Sequence, residues 1–132
     1  MAEGGRIQLL LAQHITDATD PTAVPVEIDR ALDMLERAYL KHWAIPLAKL
    51  LRGRVAFLRG QDDRAMALMQ QAAEESHLPT ISAHARFAHG TLLGGERGNA
   101  MRSASLRLLS DWGVVDPLRY LRGHLPELVE GR

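Results

Sequence analysis

The sequence contains no cysteine. A disulfide framework, a thiolate metal site and a cysteine nucleophile are therefore excluded together, and the absence fits the reducing cytoplasm, where we expect this protein to reside. Aromatic residues make up only 5% of the chain and are scattered, whereas proteins that bind single-stranded nucleic acids stack bases on regularly spaced rings. The formal net charge is zero, so no overall field attracts a nucleic-acid backbone. We expect no nucleic-acid partner.

Long apolar runs and strand patterns are also missing. The apolar stretch near the N-terminus extends only from Ile7 to Ala12. It is far shorter than the roughly 20 residues of a membrane span and too short for a secretion signal with its cleavage site. β-Branched residues cluster only near residues 22–26, where Pro21 and Pro25 interrupt any strand. We predict neither export nor a membrane anchor, and no sheet.

Helical periodicity dominates the rest of the sequence. Leu47, Leu50, Leu51, Val55 and Leu58 follow the spacing of one helix face. Prolines at 46, 79 and 117 indicate where such helices begin. Gly60, the pair Gly94-Gly95 and Pro126 indicate where they end. We predict a single all-α domain spanning residues 1–132, with helix pairs over about 6–41, 46–77 and 80–112 and a capping helix over about 117–124.

An internal repeat relates these helix pairs. Residues 29–38 align with residues 63–72 at an offset of 34, and Gly60 has its counterpart 35 residues later at Gly95. A period of about 34 residues is typical of tetratricopeptide repeats. The sequence therefore predicts an array of similar helix pairs rather than an irregular bundle.

The chain resembles the tetratricopeptide family at the positions that carry its packing. Gly53 stands where the first helix of a repeat keeps a small residue, and Gly60 stands at the turn. Ala65 and Ala72 match the small positions of the second helix, whereas Arg107 departs from the pattern in the third pair. The resemblance implies a right-handed stack of about three antiparallel helix pairs with a C-terminal capping helix.

The C-terminal part also resembles a narrower group. Residues 86–95, Trp112-Gly113 and Asp116-Pro117 are similar to the C-terminal repeat tails of large bacterial serine/threonine kinases and ATPases. Those tails sense or dock partners, so the resemblance implies a role in bacterial signalling or assembly. The sequence holds no kinase motif, and the glycine-rich residues 94–98 lack the Lys-Ser/Thr of a phosphate loop.

In the stack that the resemblance implies, the first helix of each pair lines a concave face. The candidate partner-binding residues on that face are Leu47, Leu50, Arg54, Phe57, Ser82, Ala85, His89 and Leu92. Arg54 is the informative member because it places a charge within a mostly apolar arc. It either anchors a carboxylate of a bound peptide, pairs with an Asp or Glu of this chain, or extends its charged head to water.

A basic arc lies opposite the apolar one on the same predicted helix. It consists of Lys49, Arg52 and Arg59. Residues 1–48 hold four basic and seven acidic residues, whereas the rest of the chain holds twelve basic and nine acidic. The arc is either a solvated face or a patch for an acidic partner, and the uneven charge could also drive head-to-tail self-association.

Catalysis and metal binding are not expected. His84 and His89 are five residues apart, whereas zinc-binding helices favour spacings of three or four. Ser110, Asp111 and His124 are the residue types of a hydrolytic triad, but no nucleophile elbow surrounds the serine. We predict no catalytic residue, no metal and no cofactor.

The function that these features favour is a non-catalytic protein-protein interaction module. It would hold a segment of a protein or peptide partner in the concave groove between its helices. One alternative is a structural self-assembly domain that buries an exposed apolar face in a homodimer. Another is a regulatory or sensor subunit of a larger complex.

Overall fold

The computed structural model describes residues 2–17, 20, 22–38 and 44–131. Within these ranges the chain forms eight α-helices and no strand. The helices are α1 Ala2–Asp17, α2 Val26–Ala38, α3 Ala44–Leu58, α4 Asp62–Glu75, α5 Pro79–Leu93, α6 Gly95–Asp111, α7 Pro117–His124 and α8 Pro126–Glu130. The predicted all-α class is therefore confirmed for the described residues.

The helix bounds differ from the predicted ones in places. The first helix begins at Ala2 rather than near residue 6, and the predicted end of the second helix near Lys41 lies outside the described residues. The last predicted helix, over about 117–124 with Pro126 as its limit, is α7 Pro117–His124. Pro126 also begins the short helix α8, which the sequence patterns did not indicate. A proline is tolerated there because its missing N–H is not needed in a first turn.

Local sequence determines where α5, α6 and α7 meet. Gly94 adopts a φ of +69° between α5 and α6, a backbone conformation that favours glycine, and these two helices pack together as a hairpin. At the start of α7, the carboxylate of Asp116 accepts a hydrogen bond of 3.2 Å from the backbone N–H of Arg119. Pro117 follows in the first turn. These local signals therefore fix where α5 ends and where α7 begins.

Small residues allow α3 and α4 to approach each other closely. Ala65 and Ala72 of α4 are fully buried. Gly53 of α3 faces Met69, whose Cε would lie only 2.9 Å from a Cβ at position 53. Larger side chains at Ala65 or Ala72 would push the helix axes apart, whereas a Cβ at Gly53 would first displace the flexible end of Met69.

Two apolar clusters lie on opposite sides of α3. One consists of α1 and α2 side chains, including Ile7, Leu32 and Leu35, packed against α3. The other extends from α3 through α4, α5 and α6 to Leu121 and Leu128 in the last two helices. Most side chains of α3 are consequently buried, and this helix is the centre of the described structure.

The basic arc, with Lys49 and Arg52 in α3 and Arg59 just after its end, forms ion pairs within the chain. Its ion pairs are Lys49 with Glu75, Arg52 with Asp33 and Glu36, and Arg59 with Asp29. Arg59 Nη2 lies 2.6 Å from Asp29 Oδ2, and this hydrogen bond holds the pKa of Asp29 below its usual value. The side chains of Arg52 and Arg59 remain 20% and 30% exposed. Their ion pairs therefore contribute more to the orientation of α2 on α3 than to the free energy of unfolding. The acidic excess of the N-terminal part thus faces the basic residues of α3 within one molecule.

Candidate functional site

The candidate partner-binding residues are largely enclosed. Five of them are buried, namely Leu47, Leu50, Arg54, Phe57 and Ala85. The remaining three, Ser82, His89 and Leu92, are half-buried. The expectation that all eight line one open concave face is therefore corrected, because the C-terminal segment (residues 116–131, with α7 and α8) packs over part of that face.

Arg54 shows most directly how this face is covered. Its side chain is 3% exposed, and its bonding partner Glu127 of α8 is 1% exposed. Arg54 Nε donates a hydrogen bond of 2.5 Å to Glu127 Oε1, and Nη2 donates one of 3.1 Å to Oε2. This is the bidentate geometry in which a guanidinium best matches a carboxylate. Of the three interpretations of Arg54, the intramolecular acidic partner is the one present, and no guanidinium is left for an external peptide.

A second polar contact joins the C-terminal segment to α5. His84 Nε2 lies 3.0 Å from the hydroxyl of Tyr120, and His124 Nδ1 lies 2.9 Å from the backbone carbonyl oxygen of Tyr120. Burial, together with the neighbouring His124 and Arg54, lowers the pKa of His84 to about 4. Burial also raises the pKa of Tyr120. At neutral pH, His84 is therefore neutral and forms one hydrogen bond with an un-ionised phenol.

An open cavity remains beside this contact. It has a volume of about 320 Å³, and we call it the α3–α5 cavity. Its apolar lining comes from Leu47, Leu50, Leu78 and Ile81, and its polar lining comes from Gln8, Thr80, His84, Tyr120 and His124. Helices α1, α3, α5 and α7 all contribute, so residues far apart in the sequence converge on one concave site.

The other predicted residues face elsewhere. The hydroxyl of Ser82 donates a hydrogen bond of 3.3 Å to the carbonyl of Ala73 in α4. His89 lines a different cavity, between α4, α5 and α6, together with Arg86 and Arg97. Burial, and then the charge of Arg97, lower the pKa of His89. The structure therefore brings Leu47 and Leu50 into the α3–α5 cavity but leaves Ser82 and His89 outside it.

The described residues contain no group of three or more His, Asp or Glu side chains placed to hold a metal ion. His84 and His89, the spaced histidines of the sequence, line different cavities. In the same part of the chain, no helix is long and apolar enough to cross a membrane. The α3–α5 cavity combines apolar and polar side chains and is a candidate ligand site among the cavities of the described residues.

Three residues of this region were missed by the sequence patterns: Tyr120, His124 and Glu127. The leucines at 121, 125 and 128 recur at i, i+4 and i+7, and this spacing is the signal that could have indicated a buried face. The break expected at Pro126 obscured this leucine spacing.

Comparison with protein-family models, with curated proteins and with solved structures found no match for this chain.

Proposed function

We propose that this chain is a non-catalytic, tetratricopeptide-like interaction module that binds a segment of a partner protein in the α3–α5 cavity. The carrying observation is the convergence of four helices on one open site with apolar walls and hydrogen-bonding groups beside them. Such a combination suits an apolar side chain together with the polar backbone that carries it. Bacterial signalling or assembly is the setting that the resemblance of the C-terminal part to kinase and ATPase tails suggests, and the absence of cysteine fits the cytoplasm.

The electrostatics of the cavity support a peptide rather than an anionic ligand. His84 is neutral at pH 7 because its pKa is about 4. Arg54, whose charge acts on His84, forms two hydrogen bonds with the carboxylate of Glu127. A phosphate or carboxylate would therefore meet few compensating charges here, whereas the side chain of a leucine or isoleucine would replace water mainly on Leu78 and Ile81.

A groove-filling variant tests the proposal. Thr80 lines the cavity and is exposed, so Thr80→Trp would fill the site without disturbing the core. Peptides are first selected on the unaltered chain from a display library, and their Kd values are then measured by fluorescence anisotropy. We expect Thr80→Trp to weaken binding at least tenfold, equivalent to about 1.4 kcal/mol.

The matched control is Ser103→Trp, which adds the same indole at an exposed position of α6. This variant should bind the selected peptides as the unaltered chain does. Peptides whose affinity is indifferent to Thr80→Trp, or that lose affinity equally in both variants, contradict a site in the α3–α5 cavity.

A self-assembly domain is the second candidate, and a separate surface favours it. Leu9, Val26 and Met34 of the first helix pair are each more than half exposed, and burial of such apolar side chains between two copies would favour association. Light scattering after size-exclusion chromatography measures the mass of the unaltered chain and of Met34→Glu. A dimer that Met34→Glu converts to monomer supports this candidate, and a monomer at all concentrations removes it.

A further inference from the structure

The C-terminal segment packs on the rest of the chain through a row of buried leucines. Leu121, Leu125 and Leu128 are all at most 2% exposed, and they join the apolar cluster that contains α3, α4, α5 and α6. Between the last two, Glu127 points its carboxylate at Arg54. The segment thus presents a leucine face with one buried charge.

We propose that two copies of this chain assemble by exchanging their C-terminal segments. In the exchanged dimer, α7 and α8 of one copy cover α3 and α5 of the other, so that Glu127 of each copy pairs with Arg54 of the other. Exchange of an identical element recreates every contact of the closed monomer, which makes it a low-cost route to a dimer. This inference does not depend on the partner proposed for the α3–α5 cavity.

The buried ion pair limits which segments can take the place of α8 on α3 and α5. Two desolvated charges stabilise a fold poorly compared with an apolar pair of similar size, but removal of one partner leaves the other charge buried and uncompensated. Any segment that replaces α8 must therefore bring a carboxylate to Arg54 between apolar side chains. The C-terminal segment of a second copy meets that requirement by identity.

Exchange requires the short connection between α6 and α7 to extend, which breaks the hydrogen bond of 3.0 Å from the Val114 N–H to the Leu109 carbonyl. Residues 112–116 link the two helices, with Gly113 at a φ of +92°, and an extended stretch of five residues spans up to about 17 Å. Exposed apolar side chains surround this hinge: Trp112 is 43% exposed, Val115 is 100% exposed and Leu118 is 38% exposed. In an exchanged dimer the two hinges run close to each other, so these side chains gain a partner that the monomer lacks.

Charge reversal tests the exchange. Arg54→Glu and Glu127→Arg each place two like charges at the buried pair, within one copy and equally within an exchanged homodimer. In a mixture of the two variants, only exchange removes this repulsion. Residue 54 of each copy then lies beside residue 127 of the other copy, and the two carry opposite charges. We expect refolding of the 1:1 mixture to give a heterodimer whose Tm exceeds that of either variant alone. A mixture that melts as its two components and contains no heterodimer overturns the proposal.

Two further measurements remove the remaining ambiguity. The double variant Arg54→Glu/Glu127→Arg restores opposite charges within one copy, so its folding shows that the reversed pair is tolerated. If that chain fails to fold, unaltered copies carrying two different affinity tags are refolded together at high concentration and captured through one tag. Co-capture that survives dilution and is lost when one copy carries Glu127→Arg supports exchange. Absence of co-capture, or co-capture indifferent to Glu127→Arg, overturns it.

Discussion

The backbones of Gly90 and Gly98 touch where α5 packs on α6. A Cβ built on Gly90 would lie only 2.7 Å from the carbonyl oxygen of Gly98, and a Cβ on Gly98 would meet the carbonyl oxygen of Gly90 more closely still. Backbone atoms cannot move aside as the end of a flexible side chain can. The spacing of this hairpin, and with it the position of His84 beside α7, therefore depends on two residues without side chains.

We predict that Gly98→Ala destabilises the protein by about 1–3 kcal/mol, the usual effect of overpacking a close helix contact. The measurement is the free energy of unfolding from urea titrations. Gly123→Ala in α7 is the control, since a Cβ there meets nothing within 4 Å. We expect this control to gain up to about 1 kcal/mol from the higher helix propensity of alanine. Equal effects of both substitutions would contradict the close approach of α5 and α6.

Arg54→Met should destabilise the protein by about 3–5 kcal/mol, because it leaves the Glu127 carboxylate buried without a counter-charge. The double variant Arg54→Met/Glu127→Leu should recover most of that loss, since both charges are then replaced by apolar groups of similar size. The free energies of unfolding of the unaltered chain, Arg54→Met, Glu127→Leu and the double variant form a double-mutant cycle. Additive losses would show that the two side chains do not interact in solution.

Ser105→Ala should stabilise the protein by about 1 kcal/mol. Ser105 is 1% exposed, and its hydroxyl oxygen has no hydrogen-bond partner, so its removal relieves the desolvation of an unsatisfied polar group. Ser103→Ala, two residues earlier in the same helix and exposed, corrects for the difference in helix propensity. A melting temperature of Ser105→Ala that does not exceed that of Ser103→Ala would contradict the burial of this hydroxyl.

Stability should fall as the pH drops from about 6.5 to about 4. The unfolded chain protonates His84 near the ordinary histidine pKa of 6.5, whereas the folded protein resists protonation until the pH approaches 4. Protons then favour the unfolded state over this interval, by up to about 3 kcal/mol. The contribution is complete above pH 6.5 and is lost at the lower end of the window.

His84→Gln keeps a hydrogen-bonding group near Tyr120 but cannot protonate. Its unfolding free energy should therefore depend much less on pH between 6.5 and 4 than that of the unaltered chain. His89→Gln is the comparison, because burial also lowers the pKa of His89 but this residue is farther from the C-terminal segment, in the cavity beside α6. An unchanged slope in His84→Gln would show that another group carries the pH dependence.

The elements that could be predicted are those whose signals are local. The leucine spacing of α3, the glycine of the α5–α6 turn and Asp116-Pro117 before α7 each act within a few residues. The small residues Gly53, Ala65 and Ala72 could also be assigned to packing from the sequence, and all three are buried. Pro126 correctly marked the end of α7, but it did not reveal α8, because a proline can both stop one helix and stand in the first turn of the next.

The candidate site was predicted only in part, since its geometry depends on residues distant in the chain. The partners Arg54 and Glu127 are 73 residues apart, and no pattern in the sequence connects them. Nor could periodicity decide whether the apolar arc of α3 faces a ligand or the protein's own interior, because both environments select the same residue types.

The sequence by itself determined that this protein is helical, where most helices begin, and which small residues lie between them, because these properties follow from backbone preference and apolar spacing. Only the tertiary structure decided what lies on the predicted concave face. There the C-terminal segment covers Arg54, and the basic arc of α3 meets the acidic residues of α2 and α4. Charged and apolar side chains pair with groups that are near in space but distant in the sequence, and these neighbours are brought together only when the chain folds.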